Sequence, residues 1–320
     1  MSVAAAEGPR RVDAHVHLLP DSYRAELERS VELGYVLPPW SRDLTLEFMD
    51  RYAIDAAVMS VAPPGVFFGD SGQARELARL CNEETAALVR SDARRFAGLA
   101  VLPLPDPADA IAELDHAIGQ LGLDGVILLS NVAGVYPGDE AVAPVLAALD
   151  ERGAYVFLHP NAPPTPSPMP AMPVWLQEFP FDTTRAVVGL LYGGALERFP
   201  RIHWQLAHLG GAVPFLARRI ASLAEREPEQ AAAAPAGARA YLARLHYDTG
   251  LSDDRAAFEV TRRLASPERI VFGSDWPYLA QPPGNDPAPG LGFLSVEERR
   301  LLDRGNVAAL VPRLFEAGPS

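Results

Sequence analysis

Eight short runs rich in Val, Ile and Leu recur along the 320 residues, and they constrain the fold more than any other feature. They fall at 10–17 (RRVDAHVH), 56–62 (AAVMSVA), 96–103 (FAGLAVLP), 125–131 (GVILLSN), 154–160 (AYVFLHP), 202–209 (IHWQLAHL), 245–250 (LHYDTG) and 270–276 (IVFGSDW). Near-continuous apolar runs of this length are the pattern of parallel strands buried on both faces. Amphipathic stretches separate them, at 71–95, 106–122, 181–200 and 211–227. The first carries Leu77, Leu80, Cys81, Ala87 and Leu88 as its expected apolar stripe, and the second opens on Asp-Pro and closes at Gly122. Strands that each lead into a helix or a long loop predict a (β/α)8 TIM barrel forming one domain over residues 1–320. A doubly wound open sheet is the alternative, but its first strand should lead into a glycine-rich loop, and this one leads into HVHLLP. Inserted loops are expected after strand 1 (18–42, with GYVLPPWSR) and after strand 5 (PNAPPTPSPMPAMP, 160–173).

Charge and residue usage exclude several chemistries. A net charge of −13 argues against nucleic acid or an anionic membrane as a partner. The opening MSVAAAEGPRR lacks the apolar core of a signal peptide, and no run nears the roughly 18 apolar residues of a membrane span, so a cytoplasmic protein is expected. A single cysteine, Cys81, rules out an internal disulfide and a multi-cysteine metal site. All 28 basic residues are arginine. Without lysine there is no side-chain Schiff base, no Walker-type phosphate loop and no carboxylated-lysine bridge between two metals.

Only seven histidines occur, yet two of them, His15 and His17, flank one valine at the end of the first run. In a strand, residues two apart point to the same face, so this pair can chelate. The other chemistry-bearing residues also sit at strand ends: His159 after strand 5, His208 after strand 6 and Asp275 after strand 8. Active sites of such barrels are built at the C-terminal ends of the strands. Three imidazoles and a carboxylate suit one divalent ion. Zn²⁺ is expected, and Mn²⁺ or Fe²⁺ is compatible with the same ligands. Strand 4 ends LLSNV, with no carboxylate for a second ion. His116, His203 and His246 fall on a helix or at the opposite strand ends and read as structural. Asp248 in HYDTG reads either as support for the site or as a brace for strand 7. Trp40 and Phe67 are candidate pocket residues, with loop packing the alternative for each.

The phrases DAHVHLLP, LARLCNE, RRFAGLAVLP, FPFDTTRA, GGALERFPRIHWQLAHLGGAVPF, HYDTGLS, GSDWPY and GNVAALVPRLF span nearly the whole chain. In them the chain resembles the amidohydrolase superfamily, in the branch of aminocarboxymuconate-semialdehyde, resorcylate and 6-methylsalicylate decarboxylases. The resemblance implies one catalytic metal on His15, His17, His159 and Asp275, with His208 acting in catalysis. It further implies an aromatic wall from Trp175 and Tyr278, and a homodimer in which an arginine near Arg226 reaches the neighbouring site. The arginine that some relatives carry in the strand-1 insertion has no clear equivalent here, and Arg42 is the candidate.

The expected reaction is therefore metal-dependent, non-oxidative decarboxylation of a small aromatic or conjugated carboxylic acid, with Asp275 or His208 delivering the proton. The same site could instead hydrolyse a lactone, amide or ester. A catalytically silent scaffold is the third reading. The expected partner is a small-molecule carboxylate.

Overall fold

In the computed structural model, which describes residues 10–30, 36–165, 172–278 and 282–316, all eight apolar runs are strands. They are β1 (Val12–Leu18), β2 (Ala56–Val61), β3 (Phe96–Val101), β4 (Gly125–Leu129), β5 (Tyr155–His159), β6 (His203–Leu206), β7 (His246–Asp248) and β8 (Ile270–Val271). Each pairs in parallel with the next in sequence order. β1 and the segment after β8 bring the two edges together: Ala14 N–H donates to Phe272 O and His17 N–H to Trp276 O. The result is a (β/α)8 barrel, whose edges are removed by closure.

The strands are buried along almost their whole length, because the barrel interior covers one face and a ring of helices the other. The helices are α1 (Asp21–Ser30), α2 (Arg42–Arg51), α3 (Ser71–Ser91), α4 (Pro107–Gly119), α5 (Ala143–Glu151), α6 (Val174–Tyr192), α7 (Ala195–Arg198) and α8 (Val213–Ala221), followed by shorter elements. α3 is capped by Asp70, which accepts from Gln73 N–H at 2.7 Å, and α4 by Asp106, as the Asp-Pro start predicts. Its buried stripe runs through Ala74, Leu77, Cys81, Thr85 and Leu88. Leu80 and Ala87, expected on that stripe, are instead exposed, because Leu80 stands about 100° round the helix from Cys81.

Two further differences matter for the site. The helix expected at 181–200 starts earlier, at Val174, runs through Pro180 and stops at Tyr192 before the separate α7. Pro180 is inside α6, past the first turn, so the helix forgoes the bond that an N–H there would give to Leu176 O. Trp175 is therefore a helix residue rather than part of a loop. The insertion after β1 contains α1, and α2 begins at its expected end. The middle of the 160–173 insertion (166–171) and the opening Gly34 and Tyr35 of GYVLPPWSR lie outside the described residues. No described helix is long and apolar enough to cross a membrane.

Candidate active site

The C-terminal ends of the strands bring His15, His17, His159 and Asp275 together, with one ligand atom from each inside a span of 4.8 Å. His15 Nε2 and His17 Nε2 lie 3.1 Å apart, and each is 3.2 Å from Asp275 Oδ1. The β1–β2 register slips between Asp13 and Val16, so the strand is irregular where it presents His15. All four side chains are buried.

Each imidazole is oriented by its other nitrogen. His15 Nδ1 faces Asp248 Oδ1 at 3.1 Å, His17 Nδ1 faces Ser60 Oγ at 3.3 Å and His159 Nδ1 faces Pro160 O at 2.8 Å. That leaves His159 Nε2 buried with no hydrogen-bond partner. An orphaned buried nitrogen aimed into a ring of donors is costly unless something binds it. A divalent cation is the group that this donor set fits.

Asp248 is the hub beneath the cluster. Besides His15, its carboxylate accepts from His208 N–H, Gly250 N–H and Gln205 Nε2 at 2.8–3.0 Å. Tyr155 O–H in turn donates to Gln205 Oε1 at 2.7 Å. The approach is close enough to require glycine. A Cβ on Gly250 would lie 2.7 Å from His15 Nδ1, and one on Gly273 would lie 2.7 Å from His15 Cβ.

The charge states follow from this packing. Burial opposes protonation of His15, but Asp248 and Asp275 outweigh it and raise its pKa to about 10. Burial and the neighbouring imidazoles push His159 well below its ordinary value, and burial lowers His17. Burial works against ionisation of Asp275, yet the surrounding histidines hold it well below the carboxylate range. Asp248, like Asp275, is held low by the adjacent histidines, and carboxylates that favour their ionised form among buried imidazoles favour a cation.

His208 lies just past β6, in a short turn, with Nε2 3.4 Å from Asp275 Oδ2. The strands expected to reach His208 and Asp275 stop earlier, at Leu206 and Val271. Side-chain carboxylates take the backbone N–H groups there: Asp248 accepts from His208 N–H, and Asp13 accepts from Ser274 N–H. His208 and Asp275 themselves adopt left-handed backbone, with φ of 56° and 62°. Such φ values at bulky residues cluster at functional sites.

The remaining candidates surround the centre unevenly. Tyr278 places its ring 5.6 Å from that of His17, edge to face. Phe179, not anticipated from the sequence, comes within 6.4 Å of His159 from α6. Trp175, one turn earlier, is 53% exposed. Phe67 and Trp40 are partly buried against the core. Arg42 Nε donates to Ser91 Oγ at 3.1 Å, and the guanidinium also lies near Asp43, its neighbour in sequence. Arg226 is on the surface. His116 is half-buried on α4, facing Glu83 of α3, and His246 sits beside Arg269 at the start of β7. Asp248, Gln205 and Ser60 are the supporting residues that sequence reasoning missed or left open; inward alternation along β6 and β2 was the available signal for the last two.

The amidohydrolase family model matches residues 12–313. This chain belongs to the amidohydrolase family. It is 29% identical over 320 residues to 6-methylsalicylic acid decarboxylase of Penicillium expansum, covering 95% of this chain and 97% of that protein. A solved amidohydrolase structure superposes with a TM-score of 0.87 at 28% identity, covering 94% of this chain and 99% of the other. The dihydroxybenzoic acid decarboxylase of Polaromonas sp. JS666, solved with manganese and the inhibitor 2-nitroresorcinol, shares the fold with a TM-score of 0.81 at 22% identity. That match covers 97% of this chain and 98% of the other.

Proposed function

We propose that this protein is a metal-dependent carboxy-lyase that removes CO₂, without oxidation, from a small hydroxylated aromatic acid. The observation that carries the reading is the convergence of His15, His17, His159 and Asp275 on one point, with His159 Nε2 lacking any other partner. The likeness to a 6-methylsalicylic acid decarboxylase over nearly the full length supports the substrate class.

The four residues would hold one divalent ion, which when bound supplies Lewis-acid polarisation and a fixed anchor for the carboxylate and an adjacent hydroxyl oxygen. Zn²⁺ is the proposed ion on ligand type; the manganese of the Polaromonas structure makes Mn²⁺ the competitor to load in parallel. The chain's own task is the proton. Loss of CO₂ leaves an electron pair on the ring carbon, so that carbon must be protonated as the C–C bond breaks. His208 Nε2, close to Asp275 Oδ2, is placed to carry the proton in, and Asp275 to share it. Asp248 holds the His208 backbone and the His15 ring in one frame, which fixes donor and anchor relative to each other. Tyr278 and Phe179 set their rings edge-to-face against His17 and His159, an aromatic lining suited to a flat substrate. A homodimer in the cytoplasm, taking a small carboxylate as its only partner, completes the proposal.

The test is direct. Protein loaded separately with Zn²⁺ and Mn²⁺ is incubated with hydroxybenzoates, a muconate-type acid and aryl lactones. CO₂ release from an acid supports the proposal. Ring-opened acid from a lactone, with no CO₂ from any acid, replaces it with the hydrolase reading. Sedimentation of the same sample checks the dimer.

A further inference from the structure

Asp182 of α6 is fully buried, yet it lies outside the cluster of His15, His17, His159 and Asp275. It follows Phe179, whose ring packs against His159, by three residues and so shares its face of the helix. A carboxylate taken out of water is costly unless donors surround it. Among the described residues it accepts from Ser130 Oγ, from Asn131 Nδ2 and Tyr136 O–H at 2.7 Å each, and from Arg185 Nη1 at 3.2 Å. Arg185, the cation among them, is half exposed, so solvent screens the charge that it offers. Ser130 and Asn131 directly follow β4, and both also grip the chain that leaves β5.

The path from Asp182 to His159 runs bond by bond. His159 Nδ1 lies 2.8 Å from Pro160 O. A carbonyl only accepts, so Nδ1 carries the proton and Nε2 presents its lone pair. Pro160 O belongs to the same peptide group as Asn161 N–H, which donates to Ser130 Oγ at 2.8 Å. Ser130 Oγ in turn donates to Asp182 Oδ2. The Ser130 backbone N–H donates to His159 O at 2.8 Å. One serine thus holds both the histidine's carbonyl and the peptide that follows it. Asn131 repeats the pattern: its Nδ2 also donates to Ala162 O at 2.9 Å, and its carbonyl accepts from Asn161 Nδ2 at 3.1 Å. Each bond in such a chain polarises the next. Negative charge on Asp182 makes Ser130 Oγ a stronger acceptor, draws on Asn161 N–H and so makes Pro160 O a better acceptor for the imidazole proton.

We infer that Ser130 and Asp182 are positioning residues for His159. They fix its tautomer and ring, and raise the basicity of Nε2, through one hydroxyl and one peptide group. Asp248 does the same for His15 by direct contact. The inference rests on the metal reading for its consequence, since an imidazole held with its lone pair forward is prepared for a cation.

The experiment compares wild type, Ser130→Ala, Asp182→Asn and Tyr136→Phe. Tyr136→Phe removes a donor from the other oxygen of the same carboxylate and leaves the path to His159 intact. Affinity for Zn²⁺ and Mn²⁺ is measured by chelator competition, and the His159 tautomer by ¹⁵N NMR of metal-depleted protein. Ser130→Ala and Asp182→Asn should each bind metal about tenfold more weakly, the lower end of the cost of losing a ligand's support. Both should also lose the pure Nδ1–H tautomer, while Tyr136→Phe matches wild type in affinity and tautomer. Unchanged affinity and an unchanged tautomer in folded Ser130→Ala overturn the inference, whatever the change in Tm. An equal loss in Tyr136→Phe overturns it too, because it reports general loosening around Asp182. If Asp182→Asn does not fold, Ser130→Ala, which deletes a single oxygen, carries the test alone. If wild type binds neither metal, the metal reading falls and the tautomer decides: Nδ1–H in wild type, lost in Ser130→Ala, keeps the positioning role, and the same tautomer in both ends it.

Discussion

The two halves of the barrel mouth are made of the same kind of strand yet hold opposite chemistry. On the side of β1 and β5 to β8, buried histidines and aspartates are locked into one hydrogen-bonded network around Asp248. On the side of β3 and β4, inward positions hold Val101, Ile127 and Leu129. The first half gains its order from charge that must be balanced; the second gains it from packing. A barrel of parallel strands thus gathers buried charge on one arc of its ring and apolar packing on another.

Substitutions in the two halves should fail in different ways. The largest effect is expected from His159→Ala. It removes the proposed ligand whose Nε2 has no hydrogen-bond partner, so CO₂ release should fall by about a thousandfold or more, the rate equivalent of several kcal/mol, and elemental analysis should find little metal. Full activity in metal-depleted His159→Ala protein would refute the metal centre. His208→Gln should retain its metal and lose about 10²–10³-fold in kcat, within the range for a general acid or base. An unchanged kcat would move the proton donor elsewhere. Asp248→Asn should weaken metal affinity by about 10–100-fold, the usual cost of losing a histidine's supporting carboxylate, which a chelator titration reads directly.

A pH series separates the halves in another way. In chelator-treated protein, the raised pKa of His15 contributes stability that is complete below its unfolded value near 6.5. That stability is lost as pH rises toward about 10. Metal binding must displace the same proton, so affinity should rise over that window. Metal-depleted protein should therefore melt at progressively lower temperature with rising pH, while the metal-induced gain in Tm grows. Parallel slopes would contradict the charge assignment. The smallest effect is expected in the apolar half: Ile127→Val should cost about 0.5–1.5 kcal/mol of stability, read by denaturant melts, with metal content unaltered.

Much of this was legible in the sequence because it depends on short-range periodicity. The spacing of two between His15 and His17, and the position of each polar residue at the end of an apolar run, were enough to gather the centre at one face. What was not legible depends on contacts across the ring. Nothing in HYDTG distinguishes Asp248 as the support of His15 from Asp248 as a brace, since the deciding partner lies 233 residues away. At β6 and β8 apolar content continues past the point where side-chain carboxylates capture the backbone, so it overstates the length of both strands. The true start of α6 is hidden because a proline inside a helix costs a backbone hydrogen bond, and nothing local shows that the helix continues across Pro180. That longer helix is what brings Phe179 to His159.

The left-handed backbone at His208 and Asp275 has a consequence for any attempt to harden this protein. A non-glycine residue in that conformation carries roughly 1–2 kcal/mol of backbone cost, which glycine does not. Breeding variants for heat tolerance alone therefore rewards glycine at the two positions proposed here to carry the chemistry. Robustness and chemistry pull in opposite directions there, so a useful screen must demand both at once.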